Sequence, residues 1–144
     1  MAWQNALVLE NNEKVVQFWK SNHQIQTTVI KKTLLGKRPK TVKHKKNGIL
    51  VLTNQKLVWI EEMRIRRKSY HPLVTIPLEN IKGVQISEPT SKSVSIADAI
   101  GEYAFDLVDP AVASQDDLNF LKRIILDQAN MRKQELETER KEEE

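Results

Sequence analysis

The sequence predicts a mainly-β (α+β) domain: a two-sheet sandwich or partial barrel of about seven strands, capped by one long C-terminal α-helix. Three observations predict it. Period-two runs of Val, Ile, Leu and aromatic residues recur between Val15 and Leu107, separated by turn residues. Those runs do not alternate with the helical segments that βαβ units require. After Asp109-Pro110 the apolar spacing changes to that of a helix.

Val15, Val16, Phe18 and Trp19 form a β-branched and aromatic run, and Ile25, Thr27 and Val29 continue on one parity. Residues 31–47 are polar and basic, broken by Gly36 and Pro39, and read as a long loop or a flexible hairpin end. Residues 48–53 and 56–60 are apolar runs around Asn54-Gln55, a hairpin in which Asn54 suits a left-handed turn conformation. A second basic cluster at residues 64–68 precedes a strand in which Val74, Ile76 and Leu78 share a face. Val84 and Ile86, Val94 and Ile96, and Tyr103, Phe105 and Leu107 repeat the pattern. Ser114 then reads as a helix N-cap with Asp116 and Asp117 in the first turn. Leu118, Leu121, Ile125 and Ala129 form the buried stripe, widened by Phe120 and Ile124. Past Met131 only Leu136 continues it. Residues 1–131 are therefore the domain and residues 132–144 a charged, acidic helical extension or tail.

A chain of 144 residues fits one core. It holds no cysteine, which removes disulfides and thiolate chemistry and agrees with a reducing compartment. No signal peptide is legible at its start, and no run of about 18 apolar residues suggests a membrane span. The expected location is cytoplasmic, peripheral to a membrane if the charge described below acts there.

The residues also carry a resemblance. Leu9-Glu10, Glu13-Lys14-Val15-Val16, then Gly48, Leu50, Leu52-Thr53-Asn54, Lys56-Leu57 and Trp59, then Ile76-Pro77-Leu78, Ile81 and Val84 resemble the pleckstrin-homology-like (PH-like) superfamily, in particular its GRAM/GLUE-type and prokaryotic PH-like domains. The likeness runs from about Leu9 to about Met131. It implies a hairpin in which Gly48 lets the strand bend while Leu50, Leu52, Leu57 and Trp59 bury. Trp59 and Phe105 read as core. Trp3 reads as either an exposed anchor or a staple on the barrel rim. The superfamily implies a binding module for lipid, peptide or ubiquitin.

Catalytic constellations are absent. His23, His44 and His71 are not paired at helical or metal-ligand spacing, Gly36-Lys37 lacks the rest of a phosphate loop, and no nucleophile elbow occurs. Glu61 and Glu62, adjacent on a strand, point to opposite faces. The expectation is a non-enzymatic module without metal or cofactor.

What remains is charge. The net charge of +4 conceals 13 Lys/Arg against two acids between Lys31 and Lys68, whereas residues 135–144 contain six acids. Lys31, Lys32, Lys37, Arg38, Lys40, Lys43, Lys45 and Lys46 make one cluster; Arg64, Arg66, Arg67 and Lys68 make the other. In a PH-like fold the connections carrying them lie at one end of the barrel, so the two clusters are expected to merge into one ligand-binding patch. An anionic membrane or phospholipid headgroup ranks first as partner. The alternative is a protein partner, peptide or ubiquitin. Nucleic acid ranks third, because Tyr70 is the only aromatic close in sequence to either cluster. The acidic tail is expected to compete for the patch, in cis or from a neighbouring copy. The sequence does not fix the oligomeric state.

Overall fold

The computed structural model of the chain describes residues 3–33, 36–64, 67–87 and 92–143, with side chains described for these except 24–33, 38–44 and 143. A short 3-10 turn (Trp3–Ala6) precedes β1 (Val15–Thr33), β2 (Gly36–Thr53), β3 (Lys56–Arg64) and β4 (Lys68–Pro77). A second 3-10 turn (Leu78–Asn80) leads to β5 (Gly83–Ile86), β6 (Ser93–Ala97) and β7 (Glu102–Leu107), and the chain ends in α1 (Gln115–Glu143). Among the described residues no helix is long and apolar enough to cross a membrane.

The strands form one antiparallel sheet in the order β4-β3-β2-β1-β7-β6-β5, with β4 and β5 at its open edges. Ile76 of one edge and Val84 of the other nevertheless belong to the same core as the central Trp19, Leu50, Trp59 and Phe105. A flat sheet cannot do this, so the sheet is coiled around its own interior. Helix α1 closes the opening: Leu118, Leu121, Ile125 and Ala129 are buried in that core, as their spacing predicts. Phe120 is the exception on the predicted stripe and stays 47% exposed. Ser114 is the N-cap, its hydroxyl accepting from the Asp117 amide at 3.3 Å, while Asp117 accepts in return from the Ser114 and Ala113 amides.

One local expectation changes, at Asn54. Asn54 does not take the left-handed conformation; Asn12 does, at φ 63°. Asn54 instead ties the two turns together, accepting from the Lys14 amide at 2.8 Å and donating to the Asn12 carbonyl at 3.0 Å. Gly48 is required for space, because a Cβ there would stand 2.6 Å from Cζ2 of Trp59.

The larger change concerns residues 31–47, expected as a loop or hairpin end. The structure agrees with the hairpin alternative and not the loop: residues 31–33 and 36–47 are paired strand in a long β hairpin. The β1–β2 ladder runs from Val15↔Thr53 to Thr33↔Gly36. β1 pairs with β7 only at Ser21, Asn22 and His23, and β2 with β3 only from Gly48 to Leu52. Ten further rungs, Gln24↔Lys45 to Thr33↔Gly36, therefore extend past the sheet as a two-stranded ribbon. At about 3.3 Å per residue it projects roughly 30 Å. His23 marks where it departs, with its ring against Phe105 and Trp59 and Nδ1 at 2.8 Å from the Ala104 carbonyl oxygen.

The outer face of β2 and β3 has a cover of its own. Trp3, 8% exposed, packs with Ile49, Val51, Val58 and Ile60, and Ala6, Leu7 and Tyr70 complete the cluster. Of the two roles read for Trp3, the structure selects the staple.

A basic face split into a ribbon and a groove

The expected patch is divided. Lys45 and Lys46 stand at the ribbon's base, beside the β3–β4 connection that carries Arg64, Arg67 and Lys68. Arg66 lies outside the described residues. Lys31, Lys32, Lys37, Arg38, Lys40 and Lys43 lie further out, with Lys31 opposite Arg38 and Lys32 opposite Lys37 near the tip. Both connections do leave the same end of the sheet. The ribbon's length, invisible in the sequence, keeps most of the first cluster away from the second.

The base is also largely self-neutralised. Lys45 pairs with Asp106 at 3.1 Å and Lys46 with Glu61 at 3.0 Å. Glu62 lies 2.6 Å from Nε of Arg64 and 3.9 Å from Nζ of Lys68. The adjacent carboxylates Glu61 and Glu62 thus serve different cations from opposite faces of β3. The positive surplus belongs to the ribbon: from Lys14 to Ile60 the chain contains no acid.

Beside the base lies a groove of about 380 Å³. Trp3, Phe18 and Tyr70 line it together with Lys20, Arg64 and Lys68. The Trp3 and Phe18 rings are 4.9 Å apart, and Phe18 is 45% exposed. Asn22 also lines the groove, and its buried Oδ1 has no hydrogen-bond partner. Asp109 holds the far wall by accepting from the Lys20 amide at 2.9 Å. Sequence reasoning missed this site because Trp3, Phe18 and Tyr70 come from three distant segments. The only signal for it was an aromatic residue at position 3 with no strand pattern around it.

The match to known families adds to this geometry. Residues 41–120 match the family described as the TFIIH p62 subunit, N-terminal domain, a PH-like domain. The chain belongs to that family. The PH-like superfamily read from the sequence is therefore correct, and the branch is that of the TFIIH p62 N-terminal domain; nothing places the chain in the GRAM or GLUE branches in particular. No curated protein matches the chain significantly. A TFIIH p62-type PH-like domain suggests an interaction module, and it favours the protein-partner reading over the lipid one. The matched residues begin within β2, so the groove's β3 and β4 residues fall inside the family region, whereas β1 and the ribbon tip precede it.

At the other end of the ladder, Arg132, Glu135 and Glu139 of α1 line a cleft with Asn54 and Gln55 of the β2–β3 turn. The acidic extension thus leaves the domain at the pole opposite the ribbon tip. A ladder of this length spans up to about 60 Å, so the extension and the ribbon tip stand at opposite ends of it. Among the described residues no cluster of His, Cys, Asp or Glu could hold a metal ion.

Proposed function

We propose that this domain is a protein-interaction module that docks an acidic polypeptide segment in the groove formed by Trp3, Phe18 and Tyr70 beside Lys20, Arg64 and Lys68. The juxtaposition of the exposed Phe18 ring, backed by Trp3 and Tyr70, with cations carries the reading. An aromatic or aliphatic anchor of the partner stacks on Phe18, and flanking carboxylates meet Arg64 and Lys68, which exchange their contact with Glu62 for the ligand. Family membership supports a protein partner.

The test is fluorescence anisotropy with a labelled Glu-rich peptide carrying one central Phe, compared with the same peptide carrying Ala. Salt-sensitive binding that the Phe strengthens, and that the combined changes Arg64→Glu, Arg67→Glu and Lys68→Glu abolish, is the expected result. Chemical-shift changes confined to the groove would locate it. If the domain instead sediments with phosphatidylserine vesicles and ignores both peptides, the face is a membrane-binding surface and this reading fails.

A further inference from the structure

We propose that the β1–β2 ribbon is a nucleic-acid-binding arm that seats in the major groove of a DNA duplex and holds its phosphate backbone without reading sequence. Neither the groove nor its peptide is needed for this inference.

Shape comes first. The ribbon is two antiparallel strands wide and roughly 30 Å long, with neither edge paired among the described residues. The major groove of B-form DNA is about 12 Å wide and admits a two-stranded β-ribbon. Single-strand recognition asks for exposed aromatics on which bases stack, and residues 24–45 contain no Phe, Tyr or Trp. Duplex backbone recognition asks for cations on a body of the right width. The ribbon offers that.

Charge comes second. Residues 24–45 contain seven Lys/Arg and no Asp or Glu. Their register opposes cation to cation twice near the tip, Lys31 to Arg38 and Lys32 to Lys37. Like charges directly opposite in a ladder destabilise it, and a two-stranded hairpin beyond its sheet has little stability to spare. Folding gives no reason for this choice. Lysines on exposed edges do prevent strands from adding to one another, but glutamate serves that purpose equally, and an alternation of the two would stabilise the ladder. A one-signed ribbon is explained by an anionic partner that enters between its charges. Threonines and glutamines at 24, 26, 27, 28, 33 and 41 supply neutral hydrogen-bonding residues along the same strands.

Anisotropy of a labelled duplex of roughly 20 base pairs, titrated with the full chain between about 50 and 200 mM salt, tests the proposal. Each engaged phosphate contributes about −0.9 to the slope of log affinity against log salt, so a slope of roughly −4 to −6 is expected. Changing Lys31, Lys32, Lys37 and Arg38 to Gln should lower affinity at least about tenfold and make the slope shallower by roughly 3. The same variant should keep the wild-type melting temperature, and its affinity for the acidic peptide should change less than about twofold at 0.15 M salt. Should it fail to fold, Lys40→Gln with Lys43→Gln serves, with a slope change of about 2. No duplex binding at low salt overturns the proposal, as does duplex binding that the ribbon variants leave intact. Equal affinity for a single-stranded oligonucleotide of the same length removes the groove-seating arm. Sedimentation with phosphatidylserine vesicles in the absence of duplex binding assigns the ribbon to membranes and also overturns it.

Discussion

Gly48 lies beneath the indole of Trp59: a Cβ at position 48 would stand 2.6 Å from Trp59 Cζ2 and closer still to the Ile60 carbonyl oxygen. Trp59 itself has no exposed surface and is among the largest side chains in the core. The glycine and the tryptophan are thus one packing decision made on adjacent strands.

Gly48→Ala should therefore be costly although it adds one methyl group. The obstruction includes backbone of β3, which cannot rotate away, so the change falls at the upper end of the overpacking range, about 2–3 kcal/mol. A fall in Tm of roughly 10 °C by circular dichroism is expected for a domain of this size. An unchanged Tm would show that the two strands separate freely at that rung.

Glu13 gives the stability a pH dependence. Its side chain is buried between the amide of Glu10 at 2.8 Å, the hydroxyl of Thr53 at 2.5 Å and the ammonium of Lys56 at 3.2 Å. Burial alone would raise its pKa, but the hydrogen bonds from Thr53 and Glu10, together with Lys56, outweigh it and hold the carboxyl below its ordinary value of 4.5. A carboxylate with a depressed folded-state pKa stabilises the fold above its unfolded value, and that stabilisation is lost as pH falls through the folded value. Glu13→Gln should cost about 1–2 kcal/mol at pH 7. Urea unfolding of both proteins should show the difference shrinking below about pH 4.5. A difference independent of pH would contradict the charged role.

The sequence announces the strands that bury one parity and the helix that buries one stripe, because burial leaves a period. Leu50, Leu52, Leu57, Trp59, Val94, Ile96 and Phe105 are read this way, and so are Leu118, Leu121 and Ile125. The ribbon leaves a period only on part of its first strand. Ile25, Thr27 and Val29 keep a parity on its first strand, but apolar alternation is missing from Lys31 onward, and Gly36 and Pro39 look like breakers although both stand at register positions. The partners of the basic face are hidden for a related reason. Adjacency of Glu61 and Glu62 shows that they face opposite ways, but only the pairing of β3 with β2 and β4 reveals that one meets Lys46 and the other Arg64 and Lys68.

The acidic extension is expected to be dispensable for the core and for the basic face. Lys133 donates to the Ile81 carbonyl at 3.1 Å, and Arg132 reaches Glu79, but residues beyond them on α1 are mostly exposed. Truncation after Lys133 should change stability by less than about 0.5 kcal/mol. Because the extension leaves from the pole opposite the ribbon, the truncated domain should bind acidic peptide and duplex as the full chain does. Tighter binding at protein concentrations that rise into self-association would indicate that a neighbouring copy's tail occupies the face.

Phe18 and Trp3 touch one another but should behave differently. Trp3→Ala uncovers Ile49, Val51, Val58 and Ile60 and should destabilise the domain by about 3 kcal/mol or more. Phe18→Ser removes a side chain already 45% exposed and should leave Tm nearly unchanged. In anisotropy with the Phe-containing acidic peptide, Phe18→Ser should weaken binding about tenfold, the usual effect of losing an aromatic anchor. Full affinity in Phe18→Ser would exclude the groove as the docking site.

Glu62 restrains the basic face, and its removal should strengthen binding. Its carboxylate holds Arg64 at 2.6 Å and Lys68 at 3.9 Å while remaining mostly buried, with 14% of its side chain exposed. Both cations are themselves well exposed, so the pairs contribute at most about 1 kcal/mol to folding. Any acidic ligand must displace Glu62 or share its cations. Glu62→Gln keeps the side chain's size and releases two positive charges to the groove. Affinity for the acidic peptide should rise about threefold to tenfold at low salt, with a steeper salt dependence and a Tm within a few degrees of wild type. If affinity stays level while Tm holds, Arg64 and Lys68 do not meet the ligand, and the attraction must come from Lys20 and the ribbon alone.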